Sequence, residues 1–267
     1  MIPIGDSPKS RSTPVVTRAL ILANVAVFLL MLMLSTTIPA NRATATGQFQ
    51  EQSNGVCYGF RAQPTETDRF YCRWGFQTKE WFDTVRDESQ TPSQSRLAVL
   101  LTILTSVFIH AGWLHIAGNM LFLWVFGDNV EDRLGHVGFL LFYLLAGVVA
   151  SLCQAFINVD SLTPTVGASG AVAGVLGAYI VYYPKARITT LIPIAIVLIP
   201  FPLPAVVVIG VWFVQNLLSG FATLGTVGAP DSGIAFFAHI GGFLFGALMV
   251  FLFFRHARPH RRRLSPR

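Results

Sequence analysis

Long apolar runs separated by short polar stretches organise most of the chain. The first runs from Ala19 to Leu34, and later ones cover roughly 113–128, 136–157, 168–184, 203–222 and 235–254. An apolar helix needs ~20 residues to cross a bilayer. Several of these runs are shorter, which implies helix ends that stop within bilayer depth, tolerated where they line a wet cavity. The pattern predicts an all-α membrane protein with six transmembrane helices. Residues 97–109 are apolar but too short to span alone and read as an interfacial or re-entrant piece. Residues 190–202 are apolar but hold Pro193, Pro200 and Pro202, which predicts an irregular approach to the fifth span.

The polar stretches set the domain boundaries. Residues 1–15 carry Pro3, Pro8 and Pro14 and read as a disordered tail, residues 16–257 as one membrane domain, and residues 258–267 as a basic tail. Lys9, Arg11 and Arg18 precede the first run and Ala43-Thr44-Ala45 comes after it, as in a secretory signal. The run is long for such a segment and further spans follow, so it reads as a retained first span. Residues 38–96 form a long loop with balanced charge and many aromatic residues, which suggests a folded or membrane-leaning segment.

Composition agrees with a membrane protein: 53% of residues are hydrophobic and only 12% charged, against about 25% charged in soluble domains. The net charge of +6 is uneven, with six arginines between Arg255 and Arg267. A juxtamembrane tail explains them better than nucleic-acid binding. Lys185 and Arg187 mark the fourth-to-fifth connection as cytoplasmic, and Arg133 the second-to-third. The connections near Asn158–Thr165 and Thr223–Gly233 carry only Asp160 and Asp231. Six spans with both termini cytoplasmic satisfy these signals and turn the 38–96 loop outward, with a bacterial cell membrane as the expected location. Cys57 and Cys72 share that loop, so a disulfide between them is expected, with two free thiols as the alternative. Cys153 lies in an apolar span and reads as a small core residue.

The candidate chemistry lies in the spans, where polar groups are expensive and often functional. Ser169 sits in Gly167-Ala168-Ser169-Gly170 at the start of an apolar helix, where unpaired N–H groups favour a forming anion. A bare small-residue packing motif is the competing reading. His239 lies in the last span, with Gly242 and Gly246 on its helical face. Gly170, Gly174 and Gly177 make a similar face beside Ser169, and two such faces let helix backbones pack closely. A hydroxyl brought to an imidazole is the minimal kit for nucleophilic acyl transfer. His115 and Asn119 are four residues apart on one face and supply side-chain donors. A metal site built from His110, His115 and His239 is disfavoured, because His110 and His115 would point ~140° apart on one helix.

These residues resemble the rhomboid family of intramembrane serine proteases over most of residues 105–255. The resemblance rests on His110…His115…Asn119, on Glu131 and Arg133 in Asn-Val-Glu-Asp-Arg-Leu-Gly, on Gly167-Ala-Ser169-Gly170, and on Ala238-His239-Ile-Gly-Gly242-x3-Gly246. It implies a six-helix rhomboid-like bundle with a long extracytoplasmic first loop. Ser169 would be the nucleophile and His239 the general base. His115, Asn119 and the Ser169 N–H would form an oxyanion hole. Glu131 would be structural, as would Arg133, Gly170, Gly174, Gly242 and Gly246. No metal or cofactor is implied. The implied substrates are single-span membrane proteins within the lipid bilayer; a non-catalytic rhomboid-like protein that binds membrane clients is the rival. A loop from about Leu224 to Gly233 is expected to act as a lid. Two departures stand out: Ala173 replaces the aromatic some members place four residues after the nucleophile, and the first loop lacks an adjacent Trp-Arg pair.

Overall fold

The computed structural model describes residues 1–36, 66–86, 94–194, 197–224 and 235–254. In order, these form β1 (Ile2–Ser7), α1 (Val15–Thr36), α2 (Glu66–Trp74), α3 (Thr78–Arg86) and α4 (Arg96–Thr105), which ends in a 3-10 turn. Next come α5 (Trp113–Leu134), α6 (His136–Ile157), α7 (Ser169–Tyr182), β2 (Arg187–Ile194), β3 (Val197–Pro204), α8 (Ala205–Leu224) and α9 (Phe236–Met249). Among the described residues, four helical stretches are long and apolar enough to cross a membrane: Val15–Leu34, His136–Ile157, Ala205–Thr223 and Phe236–Phe254. A fifth crossing arises if Arg96–Phe108 and Trp113–Leu134, bent by 78°, count as one span. The protein is therefore a mostly helical, multi-pass membrane protein. Of the predicted features, Cys57, the Leu224–Gly233 loop beyond Leu224 itself, the 258–267 tail and much of the 38–96 loop lie outside the described residues.

The chain divides into two compact units, one of Met1–Leu22, Ala117–Gln154 and Ser169–Arg267, the other of Ala23–Ile116 and Ala155–Ala168. The first corrects the expectation of an all-α fold, because it contains an antiparallel sheet ordered β1-β2-β3. Residues 190–194 and 197–202 are not irregular: they lie in the paired strands β2 and β3, with Arg187 opposite Pro204 and Thr190 opposite Phe201. Proline is tolerated on an edge strand where its missing N–H faces no partner. Pro200, Pro202 and Pro204 alternate on edge strand β3, leaving Ile199, Phe201 and Leu203 with the N–H groups that face β2.

The predicted disordered tail is likewise corrected. Residues 2–7 are the strand β1, paired with β2 from Ile2–Leu191 to Ser7–Arg187. Carboxylates on the last turns of α5 hold the segment between β1 and α1. Ser10 donates to Asp128 at 3.0 Å, and the Ser12 N–H donates to Asp132 at 2.9 Å. The buried Asp6 accepts from Asn129 at 2.7 Å and from the Tyr179 hydroxyl at 2.6 Å. Burial pushes the Asp6 carboxyl above its ordinary range, opposed by these hydrogen bonds and by Lys9. Polar composition suggested a solvated segment; the partners that order it lie more than 100 residues away.

The second unit gives the described part of the first loop a folded core. Phe76 and Thr165 exchange backbone hydrogen bonds at 3.1 and 2.8 Å, and the Lys79 N–H donates to the Ser161 carbonyl at 3.1 Å. The rings of Phe76, Trp81, Phe82 and Phe156 succeed one another at 5.5 to 5.9 Å. This chain of rings engages three of the loop's aromatic residues, Phe76, Trp81 and Phe82, with Phe156 of α6.

Candidate functional site

Helices α7 and α9 touch through their backbones. A Cβ on Gly242 would run into the Gly170 carbonyl, and one on Gly246 into that of Gly174. A Cβ on Gly177 would strike the Phe243 carbonyl. The two small-residue faces read from the sequence are thus the faces that meet. The contact begins beside Ser169, the first residue of α7, and one turn after His239, in the first turn of α9. The side chain of Gln154 supports that first turn, its Oε1 accepting from the N–H groups of Phe237 at 3.2 Å and Ala238 at 3.3 Å. Both are donors at a helix start; the Ala238 N–H also reaches the Ala235 carbonyl at 3.1 Å.

That packing sets Ser169 Oγ 2.7 Å from His239 Nε2. A hydroxyl and an imidazole at this separation can exchange a proton directly, which is the geometric requirement for a base-activated nucleophile. The other ring nitrogen, Nδ1, lies 2.6 Å from Asn216 Oδ1 on α8. Asn216 Nδ2 in turn donates to the Trp212 carbonyl at 2.8 Å. The Trp212 ring lies beside the imidazole, 5.8 Å between centroids and tilted by 37°. It supplies from α8 an aromatic neighbour that Ala173 on α7 does not.

Asn119 lies buried on α5, in the same unit as Ser169 and His239. His115 belongs to the other unit, where its ring meets that of the fully buried His110 at 5.0 Å, edge to face. Glu131 has a clear structural position. Its fully buried carboxylate accepts from the N–H groups of Val16 and Thr17 at 2.9 and 2.8 Å, and from the Thr17 hydroxyl at 2.7 Å. It therefore caps the start of α1, where anionic oxygens satisfy orphan donors and complement the helix dipole. His136 Nδ1 also meets it at 2.6 Å. Arg133 donates to the Tyr183 hydroxyl at 3.0 Å and lies over the rings of Tyr182 and Tyr183. Gly135, with φ of 72°, ends the motif in a left-handed conformation suited to a helix C-terminus.

Asn216 and Gln154 were missed in the sequence. The available signal was a carboxamide within an apolar run, which is costly in a bilayer unless it has a task. Gln215 and Asn216 stand side by side, and only the rotation of α8 turns Asn216 inward while Gln215 stays exposed.

A model of the Rhomboid domain matches residues 98–256. Among curated relatives, the chain is 30% identical over 159 residues to Rhomboid protein 1, mitochondrial, of Saccharomyces cerevisiae, covering 55% of this chain and 40% of that protein. It is 33% identical over 138 residues to Rhomboid protease GluP of Bacillus subtilis, covering 49% and 27%. It is 33% identical over 154 residues to the human Presenilin-associated rhomboid-like protein, mitochondrial, covering 55% and 36%. The chain thus spans less than half the length of each of these relatives. With the Rhomboid match covering more than half of its own length, the chain belongs to the rhomboid family.

Proposed function

We propose that the chain is a serine endopeptidase that cleaves transmembrane segments of single-span membrane proteins inside the bilayer. The 2.7 Å contact between Ser169 Oγ and His239 Nε2 carries this reading. In the reaction, Ser169 Oγ attacks the scissile carbonyl as its proton passes to His239 Nε2. The imidazolium then returns that proton to the leaving amine, and the peptide's new N-terminus departs. Water, deprotonated by the same imidazole, hydrolyses the acyl-enzyme. The Ser169 N–H, at the open start of α7, and the Asn119 side chain are the proposed oxyanion donors.

The depth of the site is set by helix length. The 14 residues of α7 extend only ~21 Å, short of a ~30 Å hydrocarbon core. A span this short leaves one end inside the hydrocarbon, and in this reading that end is the one bearing Ser169, which water reaches through a polar opening. In the proposed topology α7 counts as a sixth, short span. The basic residues Arg133, Lys185 and Arg187 and both termini share one side of the membrane, with the 38–96 loop on the other. Two of these relatives are named for mitochondria and the third comes from a bacterium, so the proposal concerns orientation and not the organelle.

The test is labelling by a fluorophosphonate probe, together with co-expression of a panel of single-span candidates with the native chain, Ser169→Ala, His239→Ala and the double variant. The native chain should be labelled at Ser169 and should cleave at least one candidate. Each variant should be inactive, and the losses should not add, because the two residues act as a unit. Normal turnover by Ser169→Ala refutes the mechanism, and a folded native chain that neither labels nor cleaves favours a client-binding role.

A further inference from the structure

The Ser169–His239 pair contains no carboxylate, and Ala173 leaves no aromatic ring on α7 against the imidazole. A neutral imidazole works as a base toward Ser169 only if its proton sits on Nδ1, leaving the Nε2 lone pair facing the hydroxyl. The opposite tautomer would aim an Nε2–H at Ser169 Oγ and disable the base. Something in this chain must choose between them.

We propose that Asn216 is a positioning residue that selects the productive tautomer of His239, with its carboxamide oxygen accepting from Nδ1–H. This inference rests on the proposed dyad. Two hydrogen bonds decide it. The amide nitrogen of Asn216 donates to the Trp212 carbonyl at 2.8 Å. A carbonyl can only accept, so the reversed amide would set oxygen against oxygen, and the orientation of the carboxamide is fixed. Its oxygen therefore faces Nδ1 at 2.6 Å. An oxygen at that distance is compatible with Nδ1–H and repels a bare Nδ1 lone pair. Nε2 is left as the acceptor 2.7 Å from Ser169 Oγ. Asn216 is itself buried, and its bond to Trp212 one turn back holds its rotamer.

The same contact serves the next step. When Nε2 takes the hydroxyl proton, the Nδ1 proton stays in place and its bond to Oδ1 becomes charge-assisted, hence stronger. Asn216 thus favours the imidazolium more than the neutral ring. An amide provides this acceptor without placing a net charge in an apolar span, where charge is costly. Trp212, on the same helix, adds a ring beside the imidazole and limits its swing.

The experiment uses the full chain in lipid vesicles, with a fluorophosphonate probe and a single-span substrate that the native chain cleaves and Ser169→Ala does not. Asn216→Ala should lower kcat and the labelling rate by about 10- to 100-fold, part of the usual contribution of a positioned base, with KM within about twofold. Nitrogen-15 spectra of histidine-labelled protein should show neutral His239 protonated at Nδ1 in the native chain and as a tautomer mixture in Asn216→Ala. A native His239 protonated at Nε2 overturns the inference even where Asn216→Ala does not fold. So does a folded Asn216→Ala with native kcat. If Ser169→Ala retains turnover, the dyad itself is wrong; if it is dead while Asn216→Ala is fully active, only the role of Asn216 falls.

Discussion

Gly242→Ala tests whether backbone contact between α7 and α9 sets the distance within the proposed dyad. One added methyl would lie 3.1 Å from the Gly170 carbonyl carbon and 3.3 Å from the Ala150 Cβ, with the Gly170 carbonyl oxygen closer still. Ordinary contact begins near 3.4 Å. Two of the three obstructing atoms are backbone and cannot swing aside, so α9 must retreat from α7. A retreat of about 0.5–1 Å relieves the overlap, at the ~1–3 kcal/mol typical of overpacking. His239 lies one turn earlier on the moving helix, and Gly170 adjoins Ser169. The Oγ–Nε2 separation of 2.7 Å would then exceed the ~3.0 Å upper range of an O–H hydrogen bond. A misplacement of about 1 Å costs on the order of 100-fold in rate. The assay is fluorophosphonate labelling together with kcat for a transmembrane substrate, with thermal inactivation measured in parallel. Gly210→Ala is the control, because a Cβ there meets nothing within 4 Å. A Gly242→Ala chain with native kcat, or equal damage from Gly210→Ala, would refute the reasoning.

Asn119→Ala should lower kcat by about 100-fold or more with a smaller change in KM, as for loss of one oxyanion donor; an unchanged kcat removes it from that role. Glu131→Ala strips the start of α1 of a buried carboxylate with three donors from Val16 and Thr17, and should destabilise the fold by about 3 kcal/mol or more. Thermal unfolding in detergent checks this, and a shift no larger than that of an exposed-residue control would contradict the capping role. A Cys57–Cys72 bridge closing about 15 residues would stabilise by roughly 3 kcal/mol in the chain-entropy view, and quantitative alkylation of both thiols without reductant excludes it.

The membrane class, the helix positions and the chemistry-bearing residues were legible because each leaves a local mark. An apolar run announces a buried helix whatever it packs against, so the run at 136–157 coincides with the helix His136–Ile157. Ser169 and His239 stand out because a polar group in such a run is costly, and the glycines beside them because small residues at helical spacing make a close face. The meeting of α7 and α9 was therefore foreseeable. What local pattern does not carry is the partner. The N-terminal segment looked disordered because its order comes from β2 and from carboxylates on α5, far along the chain. The prolines of β3 looked like breakers because their tolerance depends on its place at a sheet edge. Gln215 and Asn216 are nearly equivalent in sequence, and only the packing of α8 turns one of them to His239. Burial preference is a property of a residue and its immediate neighbours. Pairing, edge position and helix rotation are properties of the whole fold, and they decided which carboxamide faces the imidazole.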